Sequence, residues 1–399
     1  MTENRPSNHR LIQIFNRYLE PGGEEAWVRT LEESLGLPTC YLNSSDWVGI
    51  NAPPFWSQAV RMINNPDSLR TVRDFQHRHD ADAWIIHNAF PVGSAALYRE
   101  AQRNEIPLIQ YTHNFRPFAL GYLKTSDLDI FPSRMRMYLT EIKRASWQGS
   151  RLKTAWLAAV YSFAGLLGWF DAITAWIAVS DFMRDQLITA GVAAEKIFTL
   201  RHFWKLSTGV TNASSEEHYL FIGRIVEMKG VLVLLDVWER IRAKNGDGPR
   251  LVIVGDGPLA PLVESRAKKN PLVTFRGIVR GREKADLFQR ARAIIAPSLC
   301  LESLGLVAYE AYDFGKPILA ARAGGLGEIV VHNQTGLLHE PGDVATLHEQ
   351  VMSVEGEPQV RAQLGRNGRE WLLENANEET WRRKFNDIIE FAVAAKRKR

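Results

Sequence analysis

Residues 218–246 read HYLFIGRIVEMKGVLVLLDVWERIRAKNG. After the leading histidine the first run is apolar throughout, without alternation, as in a strand covered on both faces. Gly223 and Arg224 end that run, Lys229 and Gly230 follow, and apolar residues then recur at helical spacing up to Gly246. A strand, a cationic turn and a helix in this order open a strand–helix–strand unit with parallel strands.

Working outward, the same kind of run recurs. RLVIVG (250–255), VTFRG (273–277) and RAIIAPS (292–298) continue the second half, and LIQIF (11–15), AWIIHN (83–88), LIQYTHN (108–114) and AWIAVS (175–180) occupy the first. Helical stretches such as EEAWVRTLEESLG (24–36) lie between them. Small polar residues in WKLSTGVTNASSE (204–216) mark a seam just before a new strand. The expectation is an α/β chain of two doubly wound Rossmann-like domains, 1–205 and 206–380, with ligands beyond the carboxyl ends of the strands and in the cleft between the domains.

Composition agrees with this. The chain has 399 residues, 45% hydrophobic and 24% charged, which is room for two ordinary cores and shows no low-complexity tract. Cys40 and Cys300 are its two cysteines and form no CxxC pair, so neither a disulfide framework nor a zinc knuckle is signalled, and a reducing cytoplasm is expected. The opening MTENRPSNHR lacks the apolar core of a secretory signal.

The net charge of +4 is local in origin. Arg134, Arg136, Lys143, Arg144, Arg151 and Lys153 face only Glu141, and KRKR closes the chain at 396–399. Such clusters attract phosphate, but no nucleic-acid recognition motif accompanies them, so nucleic acid is not expected as a partner. The uncharged TAWLAAVYSFAGLLGWF (154–170) is at the short limit for a bilayer span and is broken by glycines and aromatic residues. It is expected to pack as a helix in the first domain or to lie in a membrane surface, which makes 134–170 a region of peripheral membrane contact.

Three strand-end loops of the second half carry chemistry. Arg224 and Lys229 place two cations at a strand end beside a helix start, an arrangement suited to a diphosphate. Gly255-Asp256-Gly257-Pro258 forms a tight turn that lets a ligand approach the backbone, and it lacks the GxGxxG spacing of a dehydrogenase. In CLESLGLVAYE (300–310), Glu302 sits in the loop, Ser303, Leu304, Gly305 and Leu306 offer backbone amides to phosphate, and Glu310, two turns into the helix, can accept from hydroxyls such as those of a ribose.

The ordered set GRIVEMKG, VGDGP, FRGIV, PSLCLESLGLVAYEAYDFGKPILAARAGGLGEIV and TGLL resembles the nucleotide-sugar half of the retaining glycosyltransferases of family 4, which share the GT-B fold of two doubly wound domains facing each other across a cleft. In the first half, YLEPGGEE (18–25), HNFRP (113–117) and FDAITAWIAVSDFMRDQL resemble the family's glycine-rich loop, its histidine segment and the strand and helix before the linker. The final helix, 381–399, fits the family habit of crossing back to the first domain.

The resemblance implies a hexosyltransferase that moves a sugar from a UDP- or GDP-linked donor to a glycan or lipid-linked acceptor, as in bacterial polysaccharide or lipopolysaccharide biosynthesis. Arg224 and Lys229 would neutralise the donor diphosphate and the departing nucleotide. Glu302 would contact the transferred sugar near its anomeric carbon, and Glu310 would hold the ribose. The backbone around Ile278 would meet the base, Gly255 and Gly257 would border the donor, and Ser303 to Leu306 would bind phosphate and sugar hydroxyls. Gly22 and Gly23 would admit the donor, and His113 would line the opposite wall of the cleft as a catalytic residue. No cofactor is implied.

Asp80-Ala-Asp82 and Asp127-Leu-Asp129 match the metal-chelating string of the other main glycosyltransferase fold, but both lie in the first domain, and with Arg224, Lys229 and a helix end supplying positive charge no metal is expected. The alternatives are a sugar-nucleotide epimerase of the same fold and a non-catalytic partner that retains it. The first would need acids and bases elsewhere in the cleft, and the second would not need Arg224, Lys229, Glu302 and Glu310 together.

Overall fold

The computed structural model describes residues 9–19, 22–207 and 216–397. The first eight residues, Glu20 and Pro21 of the glycine-rich loop, residues 208–215 of the expected linker and the last two residues of the KRKR tail lie outside the described residues. The backbone divides into two units, one of 1–121, 129–202 and 379–399, the other of 122–128 and 203–378.

The first unit is built on β1 (Leu11–Arg17), β2 (Thr39–Asn43), β3 (Ala83–Asn88), β4 (Leu108–Thr112), β5 (Ile173–Ala178) and β6 (Ile197–Thr199). They form one parallel sheet in the order β2-β1-β3-β4-β5-β6. Every residue of β3, β4 and β5 is buried, which is why their sequence shows no alternation. Helix starts follow their local chemistry: Asn65 caps Pro66–His79 by accepting from Asp67 N, and Ser150 caps Arg151–Leu166 by accepting from Lys153 N. The last helix, Glu378–Arg397, adds Trp381 against Trp27 at 5.7 Å and an Arg382 hydrogen bond of 2.7 Å to Ser34 O.

Helix Arg151–Leu166 contains most of the uncharged stretch and faces two ways. Thr154, Leu157, Ala158, Val160, Tyr161 and Ala164 are buried, whereas Leu152, Phe163, Leu166 and the following Leu167 are exposed. Its Trp156 Nε1 donates to Ala59 O at 3.0 Å on the neighbouring helix Phe55–Ile63, which itself exposes Phe55, Trp56 and Val60. Among the described residues no helix is long and apolar enough to cross a membrane.

The second unit contains β7 (His218–Ile222), β8 (Arg250–Val254), β9 (Val273–Phe275), β10 (Ala291–Ala296), β11 (Ile318–Ala321) and β12 (Gly336–His339). Their parallel order is β12-β11-β10-β7-β8-β9. Tyr219, Trp238, Ile253, Ile295 and Leu319 belong to the core that joins this sheet to its helices, among them Val231–Asn245. Both units are therefore doubly wound, as the buried strand runs imply.

The order of the second sheet reverses between β10 and β7. Chains leaving the carboxyl ends of these two neighbours diverge to opposite sides, and the crevice so formed is where such sheets hold ligands. One short piece of the first half of the sequence joins this unit: Tyr122–Leu128 runs beside the loop after β10, with Leu301 N bonded to Leu123 O at 2.8 Å and an antiparallel bridge between Lys124 and Cys300. The sequence reading had placed this piece in the first domain.

Candidate active site

Two loops leave the reversal point together. After β7, Gly223 and Arg224 lead to a short 3-10 turn, Glu227–Lys229, and then to helix Val231–Asn245. After β10, Pro297 and Ser298 lead through Cys300 to Glu302 and on to helix Leu306–Asp313. Leu299 N and Cys300 N both bond to Met228 O, at 2.9 and 3.3 Å. Gly230 explains how closely they approach: its φ is +73°, and a Cβ there would lie 1.8 Å from Pro297 O. Only glycine fits that backbone and that gap.

This packing brings Lys229 onto Glu302. Lys229 Nζ donates to both carboxylate oxygens, at 2.6 and 2.9 Å, and Ser298 Oγ donates to Oε1 at 2.6 Å. Burial alone would raise the Glu302 pKa, but the Lys229 charge, the bonds from Lys229 and Ser298 and the charge of Arg224 outweigh it, and the carboxyl is held below its usual value. Burial pulls Lys229 down, and the Glu302 charge more than restores it, so the ammonium is held above its usual value. The pair is thus ionised across the neutral range.

The neighbouring thiol takes no such charge. Cys300 is buried, and desolvation, with the nearby Glu302 charge, pushes it up to about 12, so it stays protonated and is no nucleophile. Glu302 is fixed at its backbone as well. Its N–H bonds to Ala323 O at 3.2 Å and its carbonyl accepts from Gly325 N at 2.8 Å, which ties it to the double-glycine loop after β11.

Arg224 points to a residue that the sequence reading missed. Its Nη2 donates to the hydroxyl of Tyr122, whose ring lies 5.4 Å from the guanidinium carbon. Ser298 and Lys284 were missed as partners too. Glu310 accepts from Lys284 Nζ at 2.7 Å, on the face of helix Leu306–Asp313 turned toward helix Gly281–Gln289. No spacing in the sequence connects 122 with 224 or 284 with 310, so only the fold could reveal these pairs.

The remaining second-half residues gather around the same strand ends. Gly255, with φ +140°, approaches so closely that a Cβ would lie 1.8 Å from Gly223 O, and Gly257 abuts the backbone of Ile225. Gly255 N bonds to Gly277 O at 2.8 Å, which sets the exposed Ile278 next to this turn. Leu304 is buried and Gly305 packs on Leu326 at the start of helix Leu306–Asp313, with Ser303 and Leu306 half-buried beside them.

In the first unit His113 follows β4 and is partly exposed. Gln13 Nε2 donates to Thr39 Oγ1 and Leu37 O, which turns its Oε1 to His87 Nε2 at 2.8 Å. His87 Nε2 therefore carries the proton, its Nδ1 accepts from His113 Nε2 at 2.9 Å, and His113 keeps Nδ1 as an acceptor. Burial pushes His113 down to about 3, so it is neutral near pH 7. Gly22 caps helix Gly23–Leu35, and a Cβ on it would meet nothing within 4 Å. Asp80 and Asp82 are taken up by Arg10, at 2.6 Å to its side chain and 2.7 Å to its backbone N. Asp127 accepts from Lys124 N at 2.9 Å. Among the described residues no group of three or more His, Cys, Asp or Glu is placed to hold a metal ion.

The comparisons with known proteins follow this division. The domain described as Glycosyltransferase Family 4 matches residues 28–203, and that described as Glycosyl transferases group 1 matches 204–371. An uncharacterized glycosyltransferase of Methanocaldococcus jannaschii is 33% identical over 154 residues, 38% of this chain and 42% of that protein. A glycogen synthase of Mycobacterium tuberculosis is 33% identical over 181 residues, 45% of this chain and 42% of that protein. The matches thus span about two fifths of these relatives' length. Among solved structures, Anabaena HepE in complex with UDP and glucose superposes with a TM-score of 0.67 at 17% identity, covering 96% of this chain and all of that one. With one such domain in each half and the same fold along its length, the chain belongs to a family of GT-B glycosyltransferases.

Proposed function

We propose that this protein transfers a hexose from a nucleotide diphosphate sugar to a glycan or lipid-linked acceptor, with retention of anomeric configuration. The Lys229–Glu302 pair, set beside Arg224 where the strand order of the second sheet reverses, carries this reading. Arg224 and Lys229 meet the charge that grows on the departing diphosphate, which is the main electrostatic task of the reaction. Glu302, ionised and fixed by Lys229 and Ser298, takes hydroxyls of the transferred sugar near its anomeric carbon. Glu310 holds the ribose, the turn at Gly255, Gly257 and Ile278 borders the base, and the amides of Ser303 to Leu306 take phosphate.

Two carboxylates flanking one bond would suit a double displacement. Here Glu302 is paired with an ammonium and accepts from a hydroxyl, and Cys300 is a protonated thiol, so neither is a free nucleophile. A front-face displacement, in which the leaving phosphate takes the acceptor proton, needs no protein nucleophile and fits these groups. The two cations supply the charge for which other transferases use a metal. Neutral His113, with Gly22 and Gly23, serves the first unit's side of the reaction. The crystal complex of HepE with UDP and glucose favours a uridine donor.

The exposed apolar residues of helix Arg151–Leu166, close in sequence to the basic run that begins at Arg134, and of the neighbouring helix Phe55–Ile63 fit contact with an anionic lipid surface. We therefore place the protein at the inner face of a membrane, in the assembly of a surface glycan. A panel of nucleotide sugars tests the reaction by donor hydrolysis and thermal shift, with Glu302→Ala as the control. Stabilisation and hydrolysis by one donor, absent in the variant, is the expected result; indifference of the folded protein to every donor removes the reading.

A further inference from the structure

The amide of Gln13, buried on β1, can be turned only one way. Its Nε2 donates to Thr39 Oγ1 at 3.0 Å, to Leu37 O at 3.3 Å and to Val28 O at 3.4 Å. Two of these partners are backbone carbonyls, which can only accept, and the Thr39 hydroxyl is itself turned to Leu37 O. A flipped amide would set oxygen against oxygen, so it is Oε1 that faces His87.

That orientation decides two protons further along, across the neighbouring strands β1, β3 and β4. Buried His87, on β3, donates from Nε2 to Gln13 Oε1 at 2.8 Å. Burial, with the nearby His113, holds His87 well below its usual pKa, so the ring is neutral and Nδ1 carries no proton. Nδ1 can then only accept, and the 2.9 Å contact to His113 Nε2 places the His113 proton on that nitrogen. Tyr111 lies flat against the His113 ring, with centroids 4.7 Å apart and planes 5° from parallel, which holds the imidazole plane.

Reversing Gln13 would reverse the whole chain and move the His113 proton to Nδ1. The two states offer opposite chemistry: a lone pair at Nδ1 takes the proton of a hydroxyl, whereas an N–H there meets an oxyanion or a carbonyl. We propose that Gln13 and His87 are positioning residues of the transfer reaction, which hold His113 as an acceptor at Nδ1 so that the first unit receives a hydroxyl of the substrate and turns away an oxyanion. The inference rests on the transferase reading, in which His113 serves that side of the reaction. Both residues are buried and act through the His113 ring.

Nitrogen NMR of the histidine side chains in the full-length protein reads the proton directly, with His113 identified by the loss of its signals in His113→Gln. The wild type should carry the proton on Nε2 near neutral pH. Gln13→Leu should move it to Nδ1, because His87 then donates from its own Nδ1, while His87→Asn, whose Oδ1 stands in for Nδ1, should keep it on Nε2. Alongside, kcat/KM for donor hydrolysis should fall by about ten-fold in Gln13→Leu and by less in His87→Asn. A purely structural role would lower the melting temperature without moving the proton.

A His113 proton on Nδ1 in the wild type overturns the proposal without recourse to any variant. So does a proton that stays on Nε2 in folded Gln13→Leu, or one that moves while the rate is unchanged. Should Gln13→Leu fail to fold, His87→Phe takes its place, since it keeps a buried ring and loses the acceptor. The expected proton in a wild type that turns over no nucleotide sugar sinks the transferase reading and the positioning role with it, whereas turnover with the proton misplaced sinks this proposal alone.

Discussion

Lys229 and Glu302, from loops 73 residues apart in sequence, form a two-pronged ion pair with Nζ 2.6 and 2.9 Å from the carboxylate oxygens. Removing one member leaves the other charge uncompensated in a largely buried place. Glu302→Ala should therefore lower stability by about 3 kcal/mol in urea denaturation, beyond its effect on donor hydrolysis. Lys229→Met combined with Glu302→Gln should recover part of that loss, and additive losses in the double variant would refute the coupling.

The pair also sets a pH window. Glu302 is depressed below its ordinary 4.5, so its contribution is complete above that pH and is lost as the medium is acidified through the folded value. Lys229 is raised above 10.5, so its contribution is complete below that pH and is lost as the medium is made more alkaline through the folded value. The stability gap between wild type and Glu302→Gln should be flat from pH 6 to 9 and narrow only below about pH 4.5. A gap that changes near neutrality would contradict the assignment.

Glu24 has the opposite sign. Its carboxyl is raised from 4.5 to about 7, so stability falls as pH rises between those values and stays reduced above them. Glu24→Gln should stabilise the protein at pH 8 by up to about 3 kcal/mol, and by nothing at pH 4. Melting temperatures measured at the two pH values check this directly.

Tyr122 orients Arg224 through a hydrogen bond and a ring contact, without itself reaching the Lys229–Glu302 pair. Tyr122→Phe keeps the ring and loses the acceptor, a change of about 1 kcal/mol, or roughly five-fold in donor KM. The rate at saturating donor should change less than KM, and the melting temperature should stay put. Equal loss in both kinetic constants would argue for a different role.

Gly230 holds the two loops together. Alanine there combines a left-handed backbone with a Cβ inside the van der Waals shell of Pro297 O, and should cost about 3 kcal/mol or more. Gly22→Ala, where a Cβ meets open space, should leave stability nearly unchanged and serves as the reference. Both are read from equilibrium denaturation curves.

Most strands legible in the sequence are interior ones, although VTFRG gave the edge strand β9 and the interior β11, ILAA, was not read. AWIIHN coincides with β3 and HYLFI with β7, because a strand buried on both faces is apolar along its whole length. Edge strands β2 and β12, TCYLN and GLLH, and the three-residue β6 have no such signature. In the site, Glu302, Lys229 and Arg224 were legible because each lies in a loop that leaves a strand end. Their partners Tyr122 and Lys284 were not, since hydrogen-bond geometry between distant segments leaves no spacing to read, and the bond from Ser298 to Glu302 depends on how their shared loop folds. Helix Arg151–Leu166 was legible only as uncharged; which of its sides is covered depends on neighbours that the local sequence does not specify.

Tyr122–Leu128 shows that the unit holding Glu302 is assembled from two separated pieces of chain. A fragment begun at Phe203 would expose an unsatisfied backbone edge at Cys300 and Leu301 and would deprive Arg224 of its phenolic anchor. Chimaeras that exchange donor halves between relatives should therefore carry this heptapeptide along with the half it serves, since a single crossover at the linker would graft a mismatched strap onto the transplanted loop.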